Sequence, residues 1–161
     1  MIHTSWKERL HQYVTGIFQN NQHKMLQINS RPDHIHTLVG FRPHQSISSI
    51  VQNVKTESTK WIKEQNFSSF FAWQEGYGAF SCSKSHVPNV IRYIQNQQEH
   101  HRKQTFLDEY RSFLKALKLT LMNNIFSKNR FDWLFTRRSY GTLIQLFQSN
   151  ITNQLSLWDI Y

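Results

Sequence analysis

A single cysteine, Cys82, is all the thiol chemistry in this chain of 161 residues, so an internal disulfide and a multi-cysteine zinc cluster are both excluded. Apolar runs are short: none approaches the ~18 consecutive apolar residues that cross a bilayer, and no apolar signal-peptide core is present. These absences lead us to expect a protein of the reducing cytoplasm with no membrane-spanning segment. Glycine and proline are also sparse, at five and three, which is the composition of a folded chain and not of a flexible linker. Acidic residues are outnumbered, ten Asp and Glu against nineteen Lys and Arg, giving a net charge of +9 before any of the nine histidines is counted. That surplus points to a polyanionic partner, either nucleic acid or an anionic membrane surface. With 39% hydrophobic and 14% aromatic residues, the chain has enough apolar and ring surface to fold as one domain of ordinary size.

Between Ser5 and Asn20 the residues Trp6, Leu10, Tyr13, Val14, Ile17 and Phe18 recur with helical spacing and form one apolar face, weakened slightly by Gly16. Lys24–Asn29 reads as a strand, and Ser30-Arg31-Pro32-Asp33 carries turn chemistry. The next segment alternates, with Ile35, Val39 and Phe41 on one side against His34, His36 and Leu38 on the other, so the two strands make a hairpin. Ser46 caps a second helix whose stripe is Ile47, Ile50, Val51, Val54, Trp61 and Ile62, leaving a free cationic side. Phe70–Ser83 has no helical period and two glycines, which suits a bent strand. Pro88 opens a third helix that runs to Lys103, and the capping pattern Thr105-Phe106-Leu107-Asp108 restarts a helix to Leu117. Beyond Leu119 the composition shifts to Asn, Gln, Phe and Leu with no clear period, and we place a boundary there, giving a domain over residues 1–118 and a tail over 119–161.

Three constellations could carry chemistry. His34 and His36, two positions apart on a strand, project from one face and could share a divalent cation through neutral ring nitrogens; equally, they could occupy the solvated face of a half-buried strand. Tyr93 and Gln97 stand one helical turn apart, so a phenol and an amide oxygen could serve one site, or Tyr93 could simply anchor its helix beside Val87, Val90, Ile91 and Ile94. The basic residues Arg31, Arg42, Lys55, Lys60, Lys63, Lys84, Arg92, Arg102 and Lys103, interleaved with Trp61, Trp73, Tyr77 and Phe80, suit backbone neutralisation with base stacking on single strands; the alternative is a solvated cationic surface over core aromatics. His100 and His101 are adjacent on a helix and diverge by about 100°. Cys82 lacks a nucleophile signature and is expected to pack.

Taken together, PDHIHTLVGFRP at 32–43, WQEGYGAFSCSKS at 73–85 and NVIRYIQNQQEHHRKQTFLDEYRSFL at 89–114 resemble the single-tyrosine transposases of insertion sequences. These belong to the HUH endonuclease superfamily, and within it the chain looks similar to REP-associated tyrosine transposases, from Trp6 to Lys118. The resemblance implies an α+β, ferredoxin-like antiparallel sheet with helices on one face. It further implies a homodimer, its active sites open to sharing between protomers, that binds hairpins at transposon ends and cuts single-stranded DNA beside them. His34, His36 and Gln97 match the ligands of a Mg²⁺ or Mn²⁺ ion, and Tyr93 matches the nucleophile that forms a 5′-phosphotyrosine. A noncatalytic single-strand or hairpin binder is the alternative. Family members begin with a hydrophobic strand before the first helix, beside the histidine strand, and Met1–Ser5 is too short and polar to supply it. That strand is therefore missing or replaced, and Thr142–Phe147, with apolar alternation, is the segment that could stand in its place.

Overall fold

The computed structural model describes residues 1–42 and 45–96, together with the backbone of the strand at 141–147. In chain order the elements are α1 (Thr4–Asn20), β1 (Lys24–Ser30), β2 (His34–Gly40), α2 (Ile47–Glu64), β3 (Gly78–Cys82), α3 (Val87–Gln95) and β4 (Gly141–Phe147), with a short 3₁₀ turn at Lys84–His86 leading into α3. The restart helix and the boundary at Leu119 lie outside the described residues. Among the described residues, no helix is long and apolar enough to cross a membrane.

α1 and α2 each start where a side chain meets an unsatisfied backbone N–H, whereas α3 has no side-chain cap and carries Pro88 in its first turn. His3 accepts from Ser5 N at the head of α1, one residue earlier than the apolar pattern suggests, and Ser46 Oγ accepts from Ser49 N at 3.1 Å at the head of α2. Trp6, Leu10, Val14, Ile17 and Phe18 of α1 are buried with Ile47, Ile50, Val51, Val54 and Ile62 of α2 in one apolar cluster. Each such fully buried side chain contributes about 1.5–3 kcal/mol.

The sheet order is β1-β2-β4-β3, with every neighbouring pair antiparallel. β1 and β2 form the expected hairpin, closed by the Arg31 N–H donating to the His34 carbonyl at 2.9 Å. After β2 the chain crosses through α2 and returns as β3 one strand-width away, leaving a gap between them. β4 fills that gap: Val39 through His34 of β2 pair with Thr142 through Phe147, and Gly78 through Cys82 of β3 pair with Gln145 through Gly141. In a β-α-β-β-α-β ferredoxin-like sheet this slot belongs to the first strand. The fold is α+β, and the segment at 141–147, noted for its alternation, occupies that slot between β2 and β3.

Period-2 alternation along β2 then divides the molecule. Ile35 and Val39 face α1 and α2, whereas Leu38 belongs to a second cluster with Val90 and Ile94 of α3 and Cys82. A bulge between Met25 and Gln27 resets the alternation of β1, so that Met25 and Ile28 both face the first cluster while Leu26 faces the second. The expected layer of helices on one face is thus α1 and α2, and α3 lies against the other face. Of the Phe70–Ser83 segment only Gly78–Cys82 is strand. Its earlier part is held irregular by Phe71, buried edge-on to Trp6, by Trp73 Nε1 donating to Ser58 Oγ at 2.9 Å, and by Gly76 at φ +79°.

Two predictions follow from this core. Ile144 pairs with Thr37 on one side and Ala79 on the other, so Ile144→Pro removes a ladder donor from an interior strand and is expected to cost roughly 2–4 kcal/mol in urea unfolding. His11, 6% exposed and bonded through Nε2 to Ser30 Oγ at 2.8 Å, has its pKa lowered from 6.5 to about 4, chiefly by burial, against the raising influence of Glu8. The unfolded chain therefore binds this proton more readily than the folded one between those values. Stability carried by neutral His11 is complete above about pH 6.5 and declines by on the order of 2 kcal/mol as the pH falls to 4, and His11→Gln flattens that part of the pH profile of unfolding free energy.

Candidate functional site

The local sequence builds the site on β2. Every residue from His34 to Val39 is buried, because helices cover both faces of this strand and β1 and β4 pair with its two edges. His34 and His36 are 1% and 2% exposed, with ring centroids 4.8 Å apart and planes at 79°. The reading of these two as solvent-facing residues of a half-buried strand is corrected by that burial: the face they share is the one covered by α3. Asp33 Oδ1 lies 2.8 Å from His34 Nδ1, a carboxylate next to an imidazole of the kind that orients a metal-binding ring.

α3 brings the phenol to this face. Pro88 sits in its first turn, and Val90 and Ile94 bury against Leu38 and Cys82, which turns Tyr93 toward the strand pair. The Tyr93 ring stands 5.9 Å from the His36 ring at 85°, edge to face. Tyr93 is also partly packed against the second cluster, so it anchors its helix and faces the histidines at once. Cys82 packs as expected, and burial pushes its thiol pKa up.

The donor set suits a divalent cation in part. Two adjacent imidazoles offer neutral nitrogen ligands on one face, which Mn²⁺ and related ions accept. Among the described residues no group of three His, Cys, Asp or Glu side chains surrounds a common point. Gln97, expected as the third ligand, lies outside the described residues, as do His100, His101, Arg102 and Lys103.

The basic residues are not gathered at the histidines. Lys55, Lys60 and Lys63 are carried by α2, on the opposite side of the sheet. Lys55 is not part of a free cationic face: its ammonium donates to the Gln74 carbonyl at 2.8 Å and to the Gly76 carbonyl, and burial lowers its pKa. Lys60 pairs with Glu57 at 3.1 Å, and Lys63 is exposed. Arg42 leaves β2 and Lys84 follows β3 at the Val39 end of the sheet, both exposed. Arg31 lies in the turn beside His34, and Arg92, next to Tyr93, is exposed with Nη2 donating to Asn89 Oδ1 at 2.6 Å. Among the described residues, these two lie beside His34 and Tyr93. The aromatic residues went to the core: Trp61 stacks on Tyr13 at 4.8 Å, Trp73 and Tyr77 pack on the first cluster, and Phe80 packs on the second.

Asp33 was not singled out from sequence, nor was Asn29, which the hairpin register places opposite His36. The signal for Asn29 was available, since a turn that pairs Ser30 with Ile35 must pair Asn29 with His36.

Comparison with known proteins agrees with this arrangement at the level of family. No curated protein and no solved structure matches the chain. The family model described as "Transposase IS200 like" matches residues 1–97, a span that holds the histidine strand and the tyrosine helix but stops short of β4. With more than half of its length matched, this chain belongs to the IS200-like transposase family.

Proposed function

We propose that this transposase cuts and rejoins single-stranded DNA beside hairpins, as a single-tyrosine enzyme of the HUH type, with Tyr93 as its nucleophile. One observation carries the reading: a phenol held edge to face over a buried pair of imidazoles that share one strand face. The Tyr93 oxygen attacks the scissile phosphorus, the P–O bond to Tyr93 forms, and the P–O3′ bond breaks. The phenolic proton leaves to solvent, and the departing 3′ oxygen takes up a proton to become a hydroxyl. Because the phosphotyrosine is itself a phosphodiester, another 3′ hydroxyl can reverse the step and join strands without a nucleotide cofactor.

His34, His36 and Gln97 would hold Mg²⁺ or Mn²⁺, which when bound withdraws charge from the phosphate oxygens. Asp33 orients the His34 ring, and burial of both rings fixes them against the sheet. A phenol of pKa about 10 is largely protonated at neutral pH, so its attack benefits from positive charge nearby, and Arg92 is its sequence neighbour. Arg31, Arg42, Lys60, Lys63 and Lys84 neutralise DNA backbone, while Lys55 serves by bracing the loop at 74–76. The working form on this reading is a cytoplasmic homodimer.

The test incubates the protein with 3′-labelled single-stranded oligonucleotides tiling both flanks of its gene, in Mn²⁺, and separates the products on a denaturing gel. A labelled band at the mass of protein plus DNA is expected. It disappears in Tyr93→Phe and with EDTA, and falls by about 10²-fold or more in His34→Ala and His36→Ala. Adduct formation by Tyr93→Phe contradicts the assignment. Salt-sensitive binding with no adduct on any oligonucleotide selects the noncatalytic hairpin-binding alternative.

A further inference from the structure

Asn29 of β1 is paired with His36 of β2, and its side chain points to the sheet face that α3 covers. Its carboxamide is engaged at both ends. Oδ1 accepts the Ser30 backbone N–H at 2.9 Å, and Nδ2 donates to the Ile94 carbonyl of α3 at 2.7 Å. The first bond settles the orientation of the amide, since only the oxygen can accept from a backbone donor, and the nitrogen is left facing the helix. Ile94 follows Tyr93 in the chain, and its carbonyl belongs to the last turn of α3, where carbonyls need partners from outside the helix.

The apolar contacts of Val90 and Ile94 with Leu38 and Cys82 hold α3 against the sheet. Such contacts are non-directional and tolerate rotation or sliding of a nine-residue helix. The bond from Asn29 is directional, joins residues 65 positions apart, and acts at the end of the helix that bears Tyr93. We propose that Asn29 is a positioning residue: it tethers the tyrosine-bearing end of α3 to the histidine strand pair and so sets Tyr93 over His36 of the same chain. The inference rests on the proposed roles of Tyr93 and the histidines, and adds a residue that touches neither DNA nor metal.

Asn29→Asp in the full-length protein isolates the tether. It preserves side-chain size and the acceptor for Ser30 N–H, while removing the donor and setting a carboxylate against the Ile94 carbonyl. Hydrogen exchange read by mass spectrometry is expected to speed up about 10-fold in peptides covering 90–96, with those from α1 and α2 unchanged. The rate constant of adduct formation at saturating oligonucleotide falls about 10-fold or more, with the half-saturating DNA concentration unchanged. Asn29→Ala, which adds no charge, is expected to show the same exchange pattern and the same split between rate and half-saturation. Unchanged exchange at 90–96 in both variants overturns the tether, and faster exchange with an unchanged adduct rate overturns its positioning role. If the unsubstituted protein forms no adduct, the proposed chemistry fails, and the exchange comparison still decides whether Asn29 holds α3.

Discussion

Strand β2 is enclosed on four sides, and the site exists because of that enclosure. β1 and β4 pair along its two edges, α1 and α2 cover one face, and α3 covers the other. A strand with an open edge offers unpaired N–H and C=O groups to water or to another chain. Two imidazoles 4.8 Å apart are useful only if neither can turn away, and six consecutive buried residues prevent them from doing so. β4 is the least obvious part of this enclosure. It arrives from the far end of the chain, yet lies antiparallel to both β2 and β3, in the slot of a ferredoxin-like first strand. Pairing geometry depends on backbone direction and not on where the strand falls in the sequence, so a segment at 141–147 can complete a sheet begun at residue 24.

The two faces divide the work. Ile35 and Val39 commit one side of β2 to a core that includes Leu10, Val14, Ile50 and Val54. The other side is polar at His34 and His36 and apolar at Leu38, which is the combination that lets α3 pack and still present a phenol. The same division explains the fate of Lys55 and the aromatic residues. Lying on the α2 side, Lys55 spends its charge on the carbonyls of Gln74 and Gly76, and Trp61 and Trp73 fill space between helices and loop. The cations carried by α2 therefore lie on the face of the sheet away from the histidines.

Much of this was legible from local rules. The stripes of α1 and α2, the Ser46 cap, the hairpin turn and the alternation of β2 are short-range patterns, and the elements formed where those patterns run. Less legible were features set by packing at long range. The bulge at Met25–Gln27 has no local marker, and it decides which side of the sheet Leu26 and Ile28 face. The irregular path from Phe70 to Tyr77 follows from Phe71 and Trp73 being taken up by the helices, which a count of β-forming residues misses. In the site, the spacing of His34 and His36 was readable but their burial was not, because it depends on α3 returning across the strand. No local signal marks the bond of Asn29, which is to a residue 65 positions away.

On the proposed mechanism Tyr93, held over the histidine strand of its own chain, is the residue that joins to DNA. Protease digestion of the protein–oligonucleotide adduct, nuclease trimming and tandem mass spectrometry would locate the linkage. A nucleotide 5′-phosphate remnant is expected on the peptide containing Tyr93 and on no other tyrosine. A remnant on Tyr77, on Tyr110 or on a serine would contradict it.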